Sequence, residues 1–207
     1  MENDLVGLLD NAFKIFVISN ESFLFAKYFD TGIDDFQNEV IKKPSIRYIQ
    51  HNMWRSCVIE LAKLYTNGKH NHFSFYKIIT EIRKHNIENF VENSEYTSLL
   101  KNWNDIIKSN LPLINQIIKL RTKLYAHTDI DSKAMLKDID FTYEMFEKLL
   151  ATTLTLLIDL NDKILNRTLI YRPIYFNNVR IVEILAENTK MTRKERVAKA
   201  LNKNHRP

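Results

Sequence analysis

The 207-residue chain has one cysteine, three glycines and four prolines, and each shortage closes off a class of protein. A lone cysteine, Cys57, excludes an intrachain disulfide and a cysteine-rich zinc site. Lying inside an apolar helical pattern, it reads as a small buried hydrophobe in a reducing compartment. So few glycines and prolines do not suit a turn-rich β architecture, which leaves long helices joined by few loops. No uninterrupted apolar run approaches the roughly 18 residues that cross a membrane. The best candidate, residues 149–160, is short and contains Thr152, Thr153, Thr155 and Asp159. The start, Met1-Glu2-Asn3-Asp4, is acidic, unlike the basic start of a signal peptide, so a cytoplasmic protein is expected. There is no phosphate-cradling glycine-rich loop, no His-Glu-x-x-His and no acidic cluster at calcium-loop spacing, so neither a cofactor nor a metal is expected.

What is present is a chain that is 45% hydrophobic, enough to bury a core without a staple. Apolar residues recur at helical spacing from Leu5 through Leu24, and Asp30-Thr31-Gly32 ends that helix. A polar loop is expected up to Pro44, which suits the first turn of a second helix running through Ile46, Met53, Cys57 and Leu64. A shorter helix is expected over 74–85, and another, with Ser94 as a plausible cap, through Trp103 and Ile107. Pro112 breaks or kinks the pattern, which resumes through Ile117 to Leu124. Asp140 is a candidate cap for a last long helix containing Phe146, Leu157 and Ile164. Residues 167–178 lose the helical period and read as an edge strand or a wrapping arm. Thr192 and Glu195 form a capping box ahead of a short basic helix. The expected fold is all-α: an antiparallel four- to five-helix bundle over residues 1–166, with an irregular C-terminal extension over 167–207.

The net charge of +5 is unevenly spread. Residues 190–206 hold seven Lys/Arg against Glu195 alone, so the rest of the chain is close to neutral. That tail reads either as an element that delivers RNA to the body or as a disordered, solubilising end. A second basic feature, Arg47, His51 and Arg55, falls at i, i+4 and i+8, away from the apolar face of its helix. These three are candidate phosphate contacts, with a solvated basic face as the plainer reading.

Arg121 and His127 close a helix. Six helical residues advance about 9 Å and turn about 600°, so the two side chains diverge by about 120°. One helix therefore does not close a site, whereas a two-fold axis bringing in a second copy can place one chain's Arg near the other's His. A histidine can take a proton from an RNA 2′-hydroxyl or give one to the leaving 5′-oxygen. A guanidinium can hold the phosphate and stabilise its added negative charge. With ten arginines and six histidines, an Arg-to-His spacing of this size should arise about once by chance, so spacing alone carries no weight.

The surrounding residues do carry weight. Lys119-Leu120-Arg121-Thr122-Lys123-Leu124-Tyr125-Ala126-His127-Thr128-Asp129 resembles the HEPN superfamily, whose defining motif is Arg, four to six residues, then His. It is similar in particular to the AbiU-type branch, associated with abortive phage infection, whose motif reads much like Arg-x-Lys-x-Tyr/Phe-Ala-His-x-Asp. Residues 54–65 and 73–79 look like that branch's second helix and the segment after it, and the resemblance spans roughly residues 5–165. It implies a helical bundle, a homodimer with both motifs at the interface, and metal-independent endoribonuclease activity in phage defence or as a toxin. Arg121 and His127 take the catalytic roles, with Thr122, Tyr125 and Asp129 supporting them and Lys123 as a further candidate phosphate contact. Two positions depart from the catalytic pattern. Thr122 stands where Asn, Asp or His is frequent, and Asp129 stands where toxins paired with a nucleotidyltransferase antitoxin carry Tyr. Partners so implied are RNA, a second copy of the chain, and an antitoxin or another defence-system protein, with no membrane. The alternative is a non-catalytic HEPN-like module that binds RNA, a nucleotide or a partner.

Overall fold

Proline and cap placement divide the chain into its helices. In the computed structural model, which describes residues 2–68, 71–84, 93–122 and 142–203, these are α1 (Glu2–Tyr28), α2 (Asp35–Ile41), α3 (Pro44–Tyr65), α4 (Phe75–Lys84), α5 (Asn93–Ser109), α6 (Leu111–Leu120), α7 (Tyr143–Leu165) and α8 (Ile181–Lys203). Among the described residues there is no strand, and the protein is all-α as expected. Nor is any described helix long and apolar enough to cross a membrane. Pro44 opens α3, and Pro112 sits in the first turn of α6, where its missing N–H costs no helical bond. Pro112 thus separates α5 from α6.

Two compact units are built from these helices, one from Met1–Glu21 with Arg55–Pro173 and the other from Ser22–Trp54 with Ile174–Pro207. In the first, α5, α6 and α7 pack together around Trp103, Ile117 and Phe146, all fully buried. Leu61 and Leu64 of α3 and Ile78 and Ile82 of α4 are equally dry. Among the described residues, Gln116 Oε1 is buried without a hydrogen-bond partner, but other buried polar groups are paired. The Ser19 hydroxyl donates to the Cys57 carbonyl at 2.9 Å, and burial pushes the Cys57 thiol well above its ordinary value, so it is an inert core group. Thr153 donates its one hydroxyl hydrogen to the Leu149 carbonyl at 2.7 Å. The buried Tyr65 hydroxyl, 2.8 Å from Thr153 Oγ1, must therefore be the donor of that pair.

The cap of α7 is Thr142, whose Oγ1 accepts the Met145 N–H at 3.3 Å, while Asp140 lies outside the described residues. The helix ends at Asn166, left-handed at φ 47°. The chain then forms an arm, not an edge strand. Arg167 donates to Asp10 and to Asn161, both at 2.6 Å, and the Tyr171 ring packs edge-on against Phe13 and Phe16.

The second unit corrects two expectations. The segment before Pro44 is not all loop, because Asp34 caps α2 by accepting the Gln37 N–H at 2.8 Å. Val40 and Ile41 of α2 join Phe29, Ile46, Val182 and Ala186 in a small core. Gly32 is needed at the approach to α2, since a Cβ there would lie 2.6 Å from Asn38 Oδ1 and 2.9 Å from its backbone nitrogen. The C-terminal helix is not a short one beginning near Thr192. It begins at Ile181, and Thr192 Oγ1 bonds back to the Asn188 carbonyl inside it. Residues 190–203 are accordingly helical and not a disordered end. Tyr28 secures the first turn of α8 by donating to Glu183 at 2.5 Å and accepting the Val182 N–H at 2.7 Å. Burial, then the Glu183 carboxylate, pushes the Tyr28 hydroxyl up to about 12.

Candidate functional site

Arg121 directly follows Leu120, the last buried residue of α6, so the apolar stripe that seats the helix also delivers Arg121 to its end. Its backbone N–H reaches both the Ile117 and Ile118 carbonyls, and the turn widens to π spacing at Arg121 and Thr122. Regular α-helical geometry therefore ends at Leu120 among the described residues of this segment. Thr122 is exposed.

The half-buried Arg121 side chain is held from another helix. Its Nη1 donates to Thr66 Oγ1 at 3.2 Å, and Thr66 Oγ1 in turn donates to the Ala62 carbonyl at 2.6 Å. Thr66 follows α3, so the cation sits at the carbonyl end of α3 as well as that of α6, where both helix dipoles favour positive charge. A guanidinium has five N–H donors in a rigid fork. Thr66 takes one, which anchors one corner of the fork through a neutral acceptor that leaves the charge in place.

Sequence reasoning missed Thr66 as a partner of Arg121. Thr66-Asn67-Gly68 was legible only as the stop of a helix, and nothing local announces a contact to a residue 55 positions away.

The other expected residues divide into two groups. Lys123, Tyr125, His127 and Asp129 lie outside the described residues. Arg47, His51 and Arg55 are all on α3 and all exposed, as the helical stripe predicts. Arg47 is ion-paired to Asp30 at 2.5 Å, in the second unit, so its charge is already partnered. Arg55 belongs to the first unit. Among the described residues, no three His, Cys, Asp or Glu side chains gather as a set of metal ligands.

A family model described as AbiU2 (HEPN AbiU2) matches residues 46–185, which covers most of the chain and includes both Thr66 and Arg121. No curated protein and no solved structure matches the chain. The chain belongs to the HEPN AbiU2 family.

Proposed function

We propose that the protein is a metal-independent endoribonuclease of phage defence or toxin type, its site composed of Arg121 and His127 from two copies of the chain. The observation that supports this reading most is the seating of Arg121: half-buried, permanently charged, held by Thr66 and placed at a helix end in the family's motif. A phosphodiester passing between substrate and transition state gains negative charge on its non-bridging oxygens, and a pre-positioned guanidinium meets it without reorganising. One His127 takes the 2′-hydroxyl proton as the 2′-oxygen attacks phosphorus. The bond from phosphorus to the 5′-oxygen breaks, and that oxygen receives the proton back from the same imidazolium. The products are a 2′,3′-cyclic phosphate and a 5′-hydroxyl end.

Because every proton and charge in this scheme is handled by protein groups, excess chelator should leave the cleavage rate within about twofold of its untreated value. Gel analysis of labelled RNA with and without EDTA checks this, and loss of cleavage in chelator would refute the scheme. RNA retained without any product, and released by salt, would instead mark the non-catalytic binding module that Thr122, exposed beside Arg121, also suits.

Thr66 then acts as a positioning residue. Thr66→Val keeps the shape and removes the oxygen that accepts from Arg121, so kcat should fall about tenfold with KM nearly unchanged. Thr66→Ser should restore it. Equal losses in both variants, or a loss matched by a fall in melting temperature, would assign Thr66 to folding instead.

A further inference from the structure

The net charge of the whole chain resides in its second unit. Residues 22–54 and 174–207 contain twelve Lys/Arg and seven Asp/Glu, whereas residues 1–21 and 55–173, which contain Arg121, hold eighteen of each. Three of those five excess charges lie on α8, and the structure gives them a shape. Helices α2 and α8 pack together and leave between them an open groove of about 630 Å³. Its lining includes Lys43 and Arg193 with the hydrogen-bonding side chains Asn188, Thr189 and Thr192. Lys190 and Arg193 both lie over the Phe36 ring, at 5.7 and 5.5 Å from its centre, so an apolar platform on α2 supports two cations at the groove's edge. Lys190, Arg193 and Lys194 are all exposed. Glu39, the one acid among the described lining residues, is 3.6 Å from Arg193. With that pair largely in solvent, a phosphate can displace it at little cost.

We propose that this groove and the basic turns of α8 beside it dock the sugar–phosphate backbone of RNA, separately from the motif that cuts it. The occupant follows from charge and chemistry. Exposed cations set beside the Asn188 amide and the accepting Thr189 and Thr192 hydroxyl oxygens match a chain of phosphates and 2′-hydroxyls, contacts that do not read one base over another. The inference deepens the ribonuclease reading, since it takes RNA as the substrate, yet docking and cutting are separable by measurement.

The experiment uses the full chain carrying His127→Ala, so that RNA stays intact, and reads fluorescence anisotropy of an end-labelled single-stranded RNA across a salt series. Two variant pairs are compared, Lys43→Gln/Lys194→Gln and Lys190→Gln/Arg193→Gln. Truncation at residue 190 is unsuitable because it would also remove the Arg193–Phe36 and Arg193–Glu39 contacts to α2. Each pair should bind about tenfold more weakly at near-physiological salt and lower the salt slope by about two, one per lost phosphate contact. Lys190→Arg/Lys194→Arg, which keeps the charge, should bind as the parent does. Unchanged affinity and slope in both Gln pairs would overturn the proposal. So would binding of phosphatidylserine vesicles through these lysines with no RNA binding. If the parent binds RNA through α8 but the chain with His127 intact yields no products, the docking surface stands and the ribonuclease reading falls. If that chain cuts RNA while both Gln pairs bind normally, the outcome is reversed.

Discussion

Arg121→Ala and His127→Ala proteins are each expected to cut RNA at least about 100-fold more slowly than the parent, while an equimolar mixture of the two recovers about a quarter of its rate. The single losses follow from the roles. Removing a positioned proton-transfer group forfeits about 10²–10⁴ in rate, and removing a pre-oriented charge-stabilising donor forfeits about 10²–10³. The recovery follows from symmetry. If a site takes its Arg from one chain and its His from the other, a mixed dimer of the two variants holds one site with both defects and one intact site. About half the dimers in a random mixture are mixed, and each carries half the usual sites, which gives the quarter. A site confined to one chain has no such rescue, because every chain in the mixture is defective. Steady-state rates on labelled RNA, taken after the proteins exchange subunits, distinguish the cases. Sedimentation should show dimers throughout. No recovery in a population shown to contain mixed dimers would sink the cross-chain site.

What could be read from the chain alone, and what could not, follows the range of the forces involved. The all-helical class was legible because scarce glycine, scarce proline and long apolar periods act on every segment at once. Pro44 announced a helix start and Pro112 a break or kink, because proline acts through its own ring on adjacent backbone. Helix α2 escaped because its seven residues are too few for a 3.6-residue period to show, although Asp34 stood ready as its cap. Helix α8 was begun too late because Thr192 and Glu195 have the spacing of a capping box, and a box spacing inside a helix looks the same as one at its start. Asp140 is the cap expected before α7, but Thr142, two residues later, takes the role by accepting the Met145 N–H. Arg121 was legible from its motif, but its orientation was not. That depends on Thr66, brought near by the packing of separate helices, and tertiary packing leaves no local trace in the sequence. The basic tail illustrates the same limit: its charge was plain, whereas its seat on Phe36 emerged only with α2.

Trp103→Ala should lower stability by about 3–5 kcal/mol, a large share of the 5–15 kcal/mol typical of a domain, and Trp103→Phe by only about 1–2 kcal/mol. Trp103 is 0% exposed on α5, and its indole N–H donates to an Asp159 carboxylate oxygen on α7. Two contributions are therefore combined at one residue. The first is ring volume: alanine leaves a cavity in the first unit that the surrounding helices cannot fully close. The second is the hydrogen bond, which is charge-assisted but reaches an acid that is only half-buried and borders an open groove with Asn102, Thr155 and Asp162. Water there can replace the indole, so losing the bond costs less than losing the ring. Phenylalanine removes the bond and keeps most of the ring, which isolates the smaller contribution. Denaturant midpoints at one fixed protein concentration measure both, the fixed concentration being needed because the proposed dimerisation would add to apparent stability. A Phe variant as damaged as the Ala variant would place the stability in the Trp103–Asp159 bond. An Ala variant within about 1 kcal/mol of the parent would contradict the packing of α5 against the core.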